Sequence, residues 1–392
     1  MKEDLRRYNL WLAFTAGLRP MRHNELIEEY GSAYDVFLAA AKGDIPSKTA
    51  ADGRMLALMK AKAEEGYIDR CLEYLHNQNI SVVLFKDKNY PALLREIHSA
   101  PAALFVKGRL PDKIRLPIAV IGSRRCSDYG RKAAEMISGQ LAECGACIVS
   151  GMAYGIDKVA AIAALERSKA EIPTIAVLGS GVDVVYPEEN RKLYDEICDK
   201  GAVVSEFLPG TVPDSKHFPQ RNRIISGISR GVVVAEAAIK SGTRITADFA
   251  LEQGRDVFAI PGRITDPFCQ GTNQMIQQGA AKPVFCVDDI LEEYGMRSDK
   301  AIRMTEIDEN GLSFEQTLIV RLLKAGEKTI DELCEMTQFE PGKLNSALTE
   351  MEISEPIITD SPGLRCRISM SPPPPRGQSP PGDAAYHRLP SP

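Results

Sequence analysis

The stretch Ile118–Ser150, IAVIGSRRCSDYGRKAAEMISGQLAECGACIVS, decides the fold class. It opens on the apolar run Ile118–Ile121 and turns at Gly122-Ser123-Arg124. A helical stripe follows at Ala133, Ile137 and Leu141, and the stretch closes on a second run, Ala146–Ser150. That is strand, glycine turn, helix, strand. The pattern repeats: runs of strand length fall at Thr174–Leu178, Ala202–Ser205, Gly231–Ala235, Val257–Ile260 and Pro283–Phe285, with amphipathic segments between them. The runs are continuously apolar and do not alternate, so both faces of the sheet must be covered. This predicts an α/β fold with a doubly wound, mostly parallel sheet. Such sheets bind ligands at the carboxyl ends of their strands. The glycine-rich turns Gly122-Ser123-Arg124, Ser150-Gly151, Gly179-Ser180-Gly181 and Pro261-Gly262 fall there.

Working outward, 392 residues allow two or three domains, and 44% apolar with 26% charged residues is ordinary for a globular chain. Residues 1–78 read as a module of short helices, with Leu10, Trp11, Phe14 and Leu18 at helical spacing and Gly17, Gly31 and Gly43 as punctuation. The sheet domain takes residues 79–296, and the charged, poorly periodic segment 297–312 reads as a linker. Residues 313–369 carry a winged-helix pattern. Its stripes are Leu318, Leu322 and Leu323, then Ile330, Leu333 and Cys334, then Leu344, Leu348 and Met351. A hairpin signal, Ser361-Pro362-Gly363, follows between Ile357-Ile358 and Leu364–Ile368. The proline-rich tail, residues 370–392, cannot form a core and is expected to be disordered. No window holds 18 consecutive apolar residues, so no membrane span is expected. Nine scattered cysteines and no secretion signal predict reduced thiols in a cytoplasm.

The chain is acidic overall, at −5, yet Lys216–Arg230 (KHFPQRNRIISGISR) carries Lys216, Arg221, Arg223 and Arg230 and no acid. A local cationic strip in an acidic background points to a polyanion. Gly122 would let backbone N–H groups approach a phosphate, with Arg124 forking onto it. Ser241-Gly242-Thr243, after Lys240, opens a helix, and its hydroxyls suit either an anion or an ordinary N-cap. Phe218 is either a core residue or a platform for an unpaired base. Other chemistries lack their signatures. Neither the dinucleotide fingerprint nor the Walker A loop is present. Gly227-Ile228-Ser229-Arg230-Gly231 matches the nucleophile-elbow string, but a helix precedes it and a strand follows, the reverse of what the elbow needs. Cys144 and Cys147 have no second pair at zinc spacing, and the five histidines make no cluster, so neither metal nor cofactor is expected.

The ordered set of these residues resembles the DNA-processing protein A (DprA/Smf) family over about residues 80–295. The set runs from Gly122-Ser123-Arg124 through Ser150-Gly151, Gly155-Ile156-Asp157, Gly179, Tyr186-Pro187 and Asn190 to Ser205-Glu206-Phe207. It continues with Phe218-Pro219, Arg221–Gly227, Ser241-Gly242-Thr243, Pro261-Gly262, Gly271-Thr272-Asn273 and Gly279-Ala280. The resemblance implies an extended Rossmann-like domain that binds single-stranded DNA without hydrolysing it. It also implies protection of incoming strands in natural transformation, help in loading the RecA recombinase, and a homodimer. The N-terminal module would be sterile-alpha-motif-like or helix-hairpin-helix-like. By the family pattern, Arg124 and the pair Arg221 and Arg223 line a basic pocket, with Lys216, Phe218 and Lys240 nearby. Gly122, Ser123, Gly151, Asn222, Ser241, Gly242 and Thr243 complete the expected DNA-binding set. The chain departs from the family at Ala161, where a histidine is usual, and in its tail. A phosphoribohydrolase-like nucleotide enzyme is the rival reading, but Pro261-Gly262-Arg263 stands where that family's glycine-rich string would be. A regulator binding duplex DNA through its winged helix fits poorly. Lys343 is the one base in Thr329–Met351, beside Asp331, Glu332, Glu335, Glu340 and Glu350, so protein contact suits that module better.

Overall fold

The computed structural model describes residues 2–16, 20–46, 50–296, 313–324, 328–354 and 366–367. Gly17, Leu18, the segment 297–312, most of the expected hairpin and the tail lie outside the described residues. Contacts divide the chain into two units, residues 1–302 and residues 303–392.

The first unit begins with α1 (Lys2–Ala16), α2 (Pro20–Tyr30), α3 (Ala33–Lys42), α4 (Ala50–Ala61) and α5 (Glu65–Asn77). These helices enclose a core of their own around Trp11, Leu12, Leu26, Val36, Phe37 and Met59. The Trp11 indole N–H donates to the Lys62 carbonyl at 2.8 Å. Gly43 ends α3 in the left-handed region, φ 80°, so a glycine is the natural residue there. Leu10, Phe14 and Leu75 face another way and pack on Phe105 and Val182 of the sheet region.

Then come β1 (Ser81–Leu84), the single turn α6 (Ala92–Arg95), β2 (Ala103–Gly108), β3 (Pro117–Gly122), α7 (Asp128–Glu143) and β4 (Cys147–Ser150). They lead to α8 (Ile156–Arg167), β5 (Thr174–Val177), α9 (Arg191–Lys200), β6 (Ala202–Ser205), α10 (His217–Ile228) and β7 (Gly231–Glu236). The unit closes with α11 (Thr243–Glu252), β8 (Asp256–Ala259), α12 (Gln270–Gln277), β9 (Lys282–Pro283) and α13 (Asp288–Leu291). Among the described residues the strands form one nine-stranded sheet, ordered β1-β2-β6-β5-β4-β3-β7-β8-β9. From β6 to β9 all neighbours are parallel, while β1 and β2 add an antiparallel edge. The doubly wound, Rossmann-like reading therefore holds. The sequence pattern does not show the antiparallel edge, because only a single helical turn separates β1 from β2 and the strand–helix alternation that marks the rest is absent there.

The pleat explains why the runs are apolar throughout. Ile118 and Val120 of β3 and Val233 and Ala235 of β7 face α7 and α8. Ala119 and Ile121, with Val232 and Val234, face α10 and α11. Burying each large aliphatic side chain is worth about 1.5–3 kcal/mol, and a polar residue in the sheet is kept only with a partner, as where the buried Thr174 hydroxyl donates to the Ile148 carbonyl at 2.7 Å.

The second unit holds α14 (Phe314–Lys324), β10 (Lys328–Thr329), α15 (Ile330–Thr337), α16 (Pro341–Ser354) and β11 (Cys366–Arg367). Ile319, Leu333, Leu344, Ala347 and Leu348 form its core. Thr329 and Glu332 make a reciprocal capping box at the start of α15. β10 and β11 pair in parallel. The three helices match the sequence pattern; the Ser361-Pro362-Gly363 wing lies outside the described residues.

Candidate nucleic-acid interface

The strand order reverses at β3. The chain lays down β4, β5 and β6 on one side of it, then crosses to β7, β8 and β9 on the other. The connections beyond β3 and β7 therefore diverge, and a crevice opens between them at their carboxyl ends. A cleft of about 800 Å³ lies there.

Its first wall is the loop after β3. The Ser123 N–H donates to the Glu236 carbonyl at 2.9 Å, and the Ile156 N–H donates to the Ser123 carbonyl at 3.3 Å. The buried Glu236 carboxylate accepts from the Ser127 N–H at 3.1 Å and from the Ser127 hydroxyl. A carboxylate at a helix N-terminus is favoured by the helix dipole, so α7 helps hold this loop. Gly155, at φ 72°, sits where the next loop presses on it: a Cβ there would lie 2.3 Å from the Ser123 carbonyl oxygen. Gly122 and Ser123 line the cleft, and Arg124 and Arg125 project exposed beside them.

The second wall is α10. Phe218, Arg221, Asn222 and Ile225 face the cleft. Arg221 is buried at 4% exposure. Its Nη1 donates to the Gly151 carbonyl at 3.1 Å and to the Val177 carbonyl, and its Nε donates to Asn222 Oδ1 at 3.3 Å. It is thus tied to the ends of β4 and β5. Burial lowers its pKa to about 10, against the support of Asp157 and with the repulsion of Arg124 added, so it stays charged at neutral pH. Asp157 accepts from the Gly151 N–H at 2.9 Å, and burial pushes its carboxyl up against the pull of Arg221 and those N–H donors. Gly151 is packed between the two: a Cβ would meet Arg221 Nη2 at 2.5 Å and Asp157 Oδ2 at 2.8 Å. Gly151 also lines a small chamber of about 30 Å³ next to the cleft, with Arg124, Tyr154, Tyr186, Phe218 and Arg221.

The third wall follows β7. Lys240 is exposed, and Ser241, Gly242 and Thr243 open α11 into the cleft. The Ser241 hydroxyl accepts the Thr243 N–H at 3.2 Å and donates to the Thr243 hydroxyl at 2.8 Å. Ser241 thus satisfies one leading N–H, while the segment still faces the cleft.

Lys216 and Arg223 are not part of the cleft wall. Lys216 is exposed at the start of α10, where its N–H donates to Asp214 Oδ1 at 2.8 Å. Arg223 is two residues after Arg221, about 200° around a helix. It points into the protein and pairs with Glu206 at 2.6 Å, with side-chain exposures of 8% and 3%. The expectation that Arg223 lines the basic pocket is corrected accordingly. The sequence shows a basic cluster but not which member has a buried partner. Conversely, Arg125, Asp157, Tyr186 and Phe268 line the cleft and were not singled out as site residues. Tyr186 and Asp157 lay within the family strings, which was the available signal. Four cations (Arg124, Arg125, Arg221 and Lys240) face one carboxylate, Asp157, on this surface of an acidic chain. That polarity suits a phosphate chain.

Other sequence features resolve as structure. The Ser229 hydroxyl is buried and donates to the Ile225 carbonyl at 2.8 Å, so it is no exposed nucleophile. Ala161 is fully buried among Met152, Ala176, Leu178 and Val203, a packing position away from the cleft wall. Among the described residues no group of three or more His, Cys, Asp or Glu is placed to hold a metal, and no helix is long and apolar enough to cross a membrane.

Residues 81–295 match the family model described as DNA recombination-mediator protein A. The chain is 49% identical over 209 residues to a DNA processing protein DprA of Streptococcus pneumoniae, covering 53% of this chain and 72% of that protein. It is 40% identical over 246 residues to the DNA processing protein DprA of Bacillus subtilis, covering 62% and 81%. The X-ray structure of DprA from Streptococcus pneumoniae superposes with a TM-score of 0.63 at 39% identity, covering 73% of this chain and 97% of that one.

Proposed function

The chain belongs to the DNA recombination-mediator protein A family, the DprA/Smf proteins, and on that premise we propose that it is a DNA processing protein that binds single-stranded DNA in the cleft at the β3–β7 crossover without hydrolysing it. One observation carries the reading: Arg124, Arg125, Arg221 and Lys240 converge on a cleft walled in part by aromatic rings, in a chain of net charge −5. Phosphates would be neutralised by the exposed Arg124, Arg125 and Lys240 and drawn by the field of Arg221. The glycine-lined turns at Gly122 and Ser241–Thr243 let the strand approach the backbone. Phosphate contacts position a strand and do not read its sequence, so sequence preference is slight. Within this reading the protein acts in the cytoplasm, protects single strands during DNA uptake, hands them to RecA and works as a homodimer.

The test is a titration of fluorescent oligo-dT at several salt concentrations, with a duplex of the same length as competitor. The expected result is preference for the single strand and a linear fall of log affinity with log salt, of slope roughly −0.7 per phosphate neutralised. Absence of binding at low salt would sink the proposal. Strand protection and transfer to RecA are tested by nuclease protection and by RecA filament formation on coated strands. Either one failing would confine the proposal to binding.

A further inference from the structure

Resting on the single-strand reading, we infer that the buried Glu236 is a positioning residue: it holds both ends of the segment Ser123–Ser127 and so fixes the place of Arg124 and Arg125, the cations that segment carries. An irregularity in the sheet puts it there. Between β3 and β7, Ile121 pairs with Val234 but Gly122 pairs with Glu236, so Ala235 is an extra residue in β7. Val232 and Val234 pack on the α10 and α11 side, Val233 and Ala235 on the α7 and α8 side. Strict alternation would return Glu236 to the side of α10 and α11. The extra residue turns it towards α7 instead, as bulges beside functional sites re-aim a side chain.

Glu236 is fully buried and does not line the cleft. Its main chain holds one end of the segment and its side chain the other. The carbonyl accepts the Ser123 N–H at 2.9 Å. The carboxylate accepts the Ser127 N–H at 3.1 Å and the Ser127 hydroxyl. That hydroxyl in turn accepts the Gly130 N–H at 3.0 Å and caps α7, so the segment is tied to the helix as well. Gly130 belongs to the same fit: a Cβ there would overlap Glu236 Oε2, and only glycine leaves room for the carboxylate. An acid behind a phosphate site has the wrong sign to attract DNA. What it supplies is order. A segment already held spares the incoming strand the cost of ordering it and its arginines.

The test is a set of double-mutant cycles in the full chain, read by titration of fluorescent oligo-dT after circular dichroism has confirmed the fold. Glu236→Leu removes the acceptor at similar volume. Gly130→Ala keeps the acid but displaces it, and it carries the cycle if Glu236→Leu does not fold. Each should weaken binding by roughly fivefold or more, the scale of ordering two freed arginine side chains. A charge effect would act the other way, since losing an acid would tighten binding. The loss caused by Arg124→Ala or Arg125→Ala should shrink in either background, because an arginine already out of place has less to lose. The loss caused by Lys240→Ala, on the third wall, should be the same in all backgrounds. Unchanged or tighter binding by the folded variants overturns the inference. So does an Arg124→Ala loss that is equal in every background, or a Lys240→Ala loss that shrinks as much, which would mean general loosening. If wild type binds but Arg124→Ala and Arg125→Ala cost it nothing, the inference falls while single-strand binding stands. If wild type does not bind at all, the single-strand reading has failed and this inference falls with it.

Discussion

Replacing Arg223 separates a residue that touches DNA from one that holds the protein together. Arg223 and Glu206 are paired at 2.6 Å between α10 and the end of β6, with side-chain exposures of 8% and 3%. One oxygen of Glu206 and one terminal nitrogen of Arg223 make the contact, while Glu206 Oε1 and Arg223 Nη1 have no hydrogen-bond partner among the described residues. Arg223→Ala leaves the carboxylate buried and unpaired, which costs about 3–5 kcal/mol. Burial already raises the Glu206 pKa, opposed chiefly by Arg223. Without Arg223 it rises further above the unfolded value, so the folded variant takes up a proton. Ionising a group whose folded pKa is raised costs stability, so the variant's deficit should widen as pH increases and narrow in acid. The joint change Arg223→Met with Glu206→Leu removes both desolvation costs and should recover most of the loss. Urea unfolding followed by far-ultraviolet circular dichroism at several pH values reads all three effects. The folded fraction of Arg223→Ala should bind oligo-dT with an unchanged salt slope. A variant of wild-type stability whose slope has fallen by about 0.7, the contribution of one phosphate, would put Arg223 in the DNA cleft and refute the reasoning.

Further outcomes follow from the same geometry. Arg124→Ala and Lys240→Ala, both exposed cleft cations, should each weaken binding and reduce the magnitude of the salt slope by about 0.7, with unfolding midpoints unchanged; an unchanged slope in both would remove the phosphate from that rim. Gly151→Ala drives a methyl group to 2.5 Å from Arg221 Nη2; it should cost about 1–3 kcal/mol and weaken DNA binding together, checked by unfolding and titration on one preparation. His23 is buried, and burial, with the Lys86 charge, lowers its pKa to about 4. A histidine depressed in this way contributes stability that is complete above pH 6.5 and is lost as pH falls towards 4, on the order of 3 kcal/mol in all. Comparing the pH dependence of unfolding in wild type and His23→Gln checks this, since the variant should lack that component.

The sequence by itself determined the parallel part of the sheet. Continuous apolar runs at Ile118–Ile121 and Gly231–Ala235 can only be buried on both faces, and the turns that follow them must lie at the strands' carboxyl ends. Glycine turns with Arg124 and Lys240 alongside point to that end of the sheet as the candidate site. Periodicity also found the helices of the second unit, because a stripe such as Leu344 and Leu348 is a local property of one segment. Only the tertiary structure decided how the basic strip divides. Arg221 and Arg223 look alike in sequence, but α10 turns them to opposite sides: one meets the carbonyls of Gly151 and Val177, the other Glu206. Likewise the Phe218 and Tyr186 rings are separated by 32 positions yet their centroids lie 5.4 Å apart, a contact that only the fold brings about. Burial and pairing are properties of the assembled fold, because the partner that removes a charge or a ring from solvent comes from elsewhere in the chain.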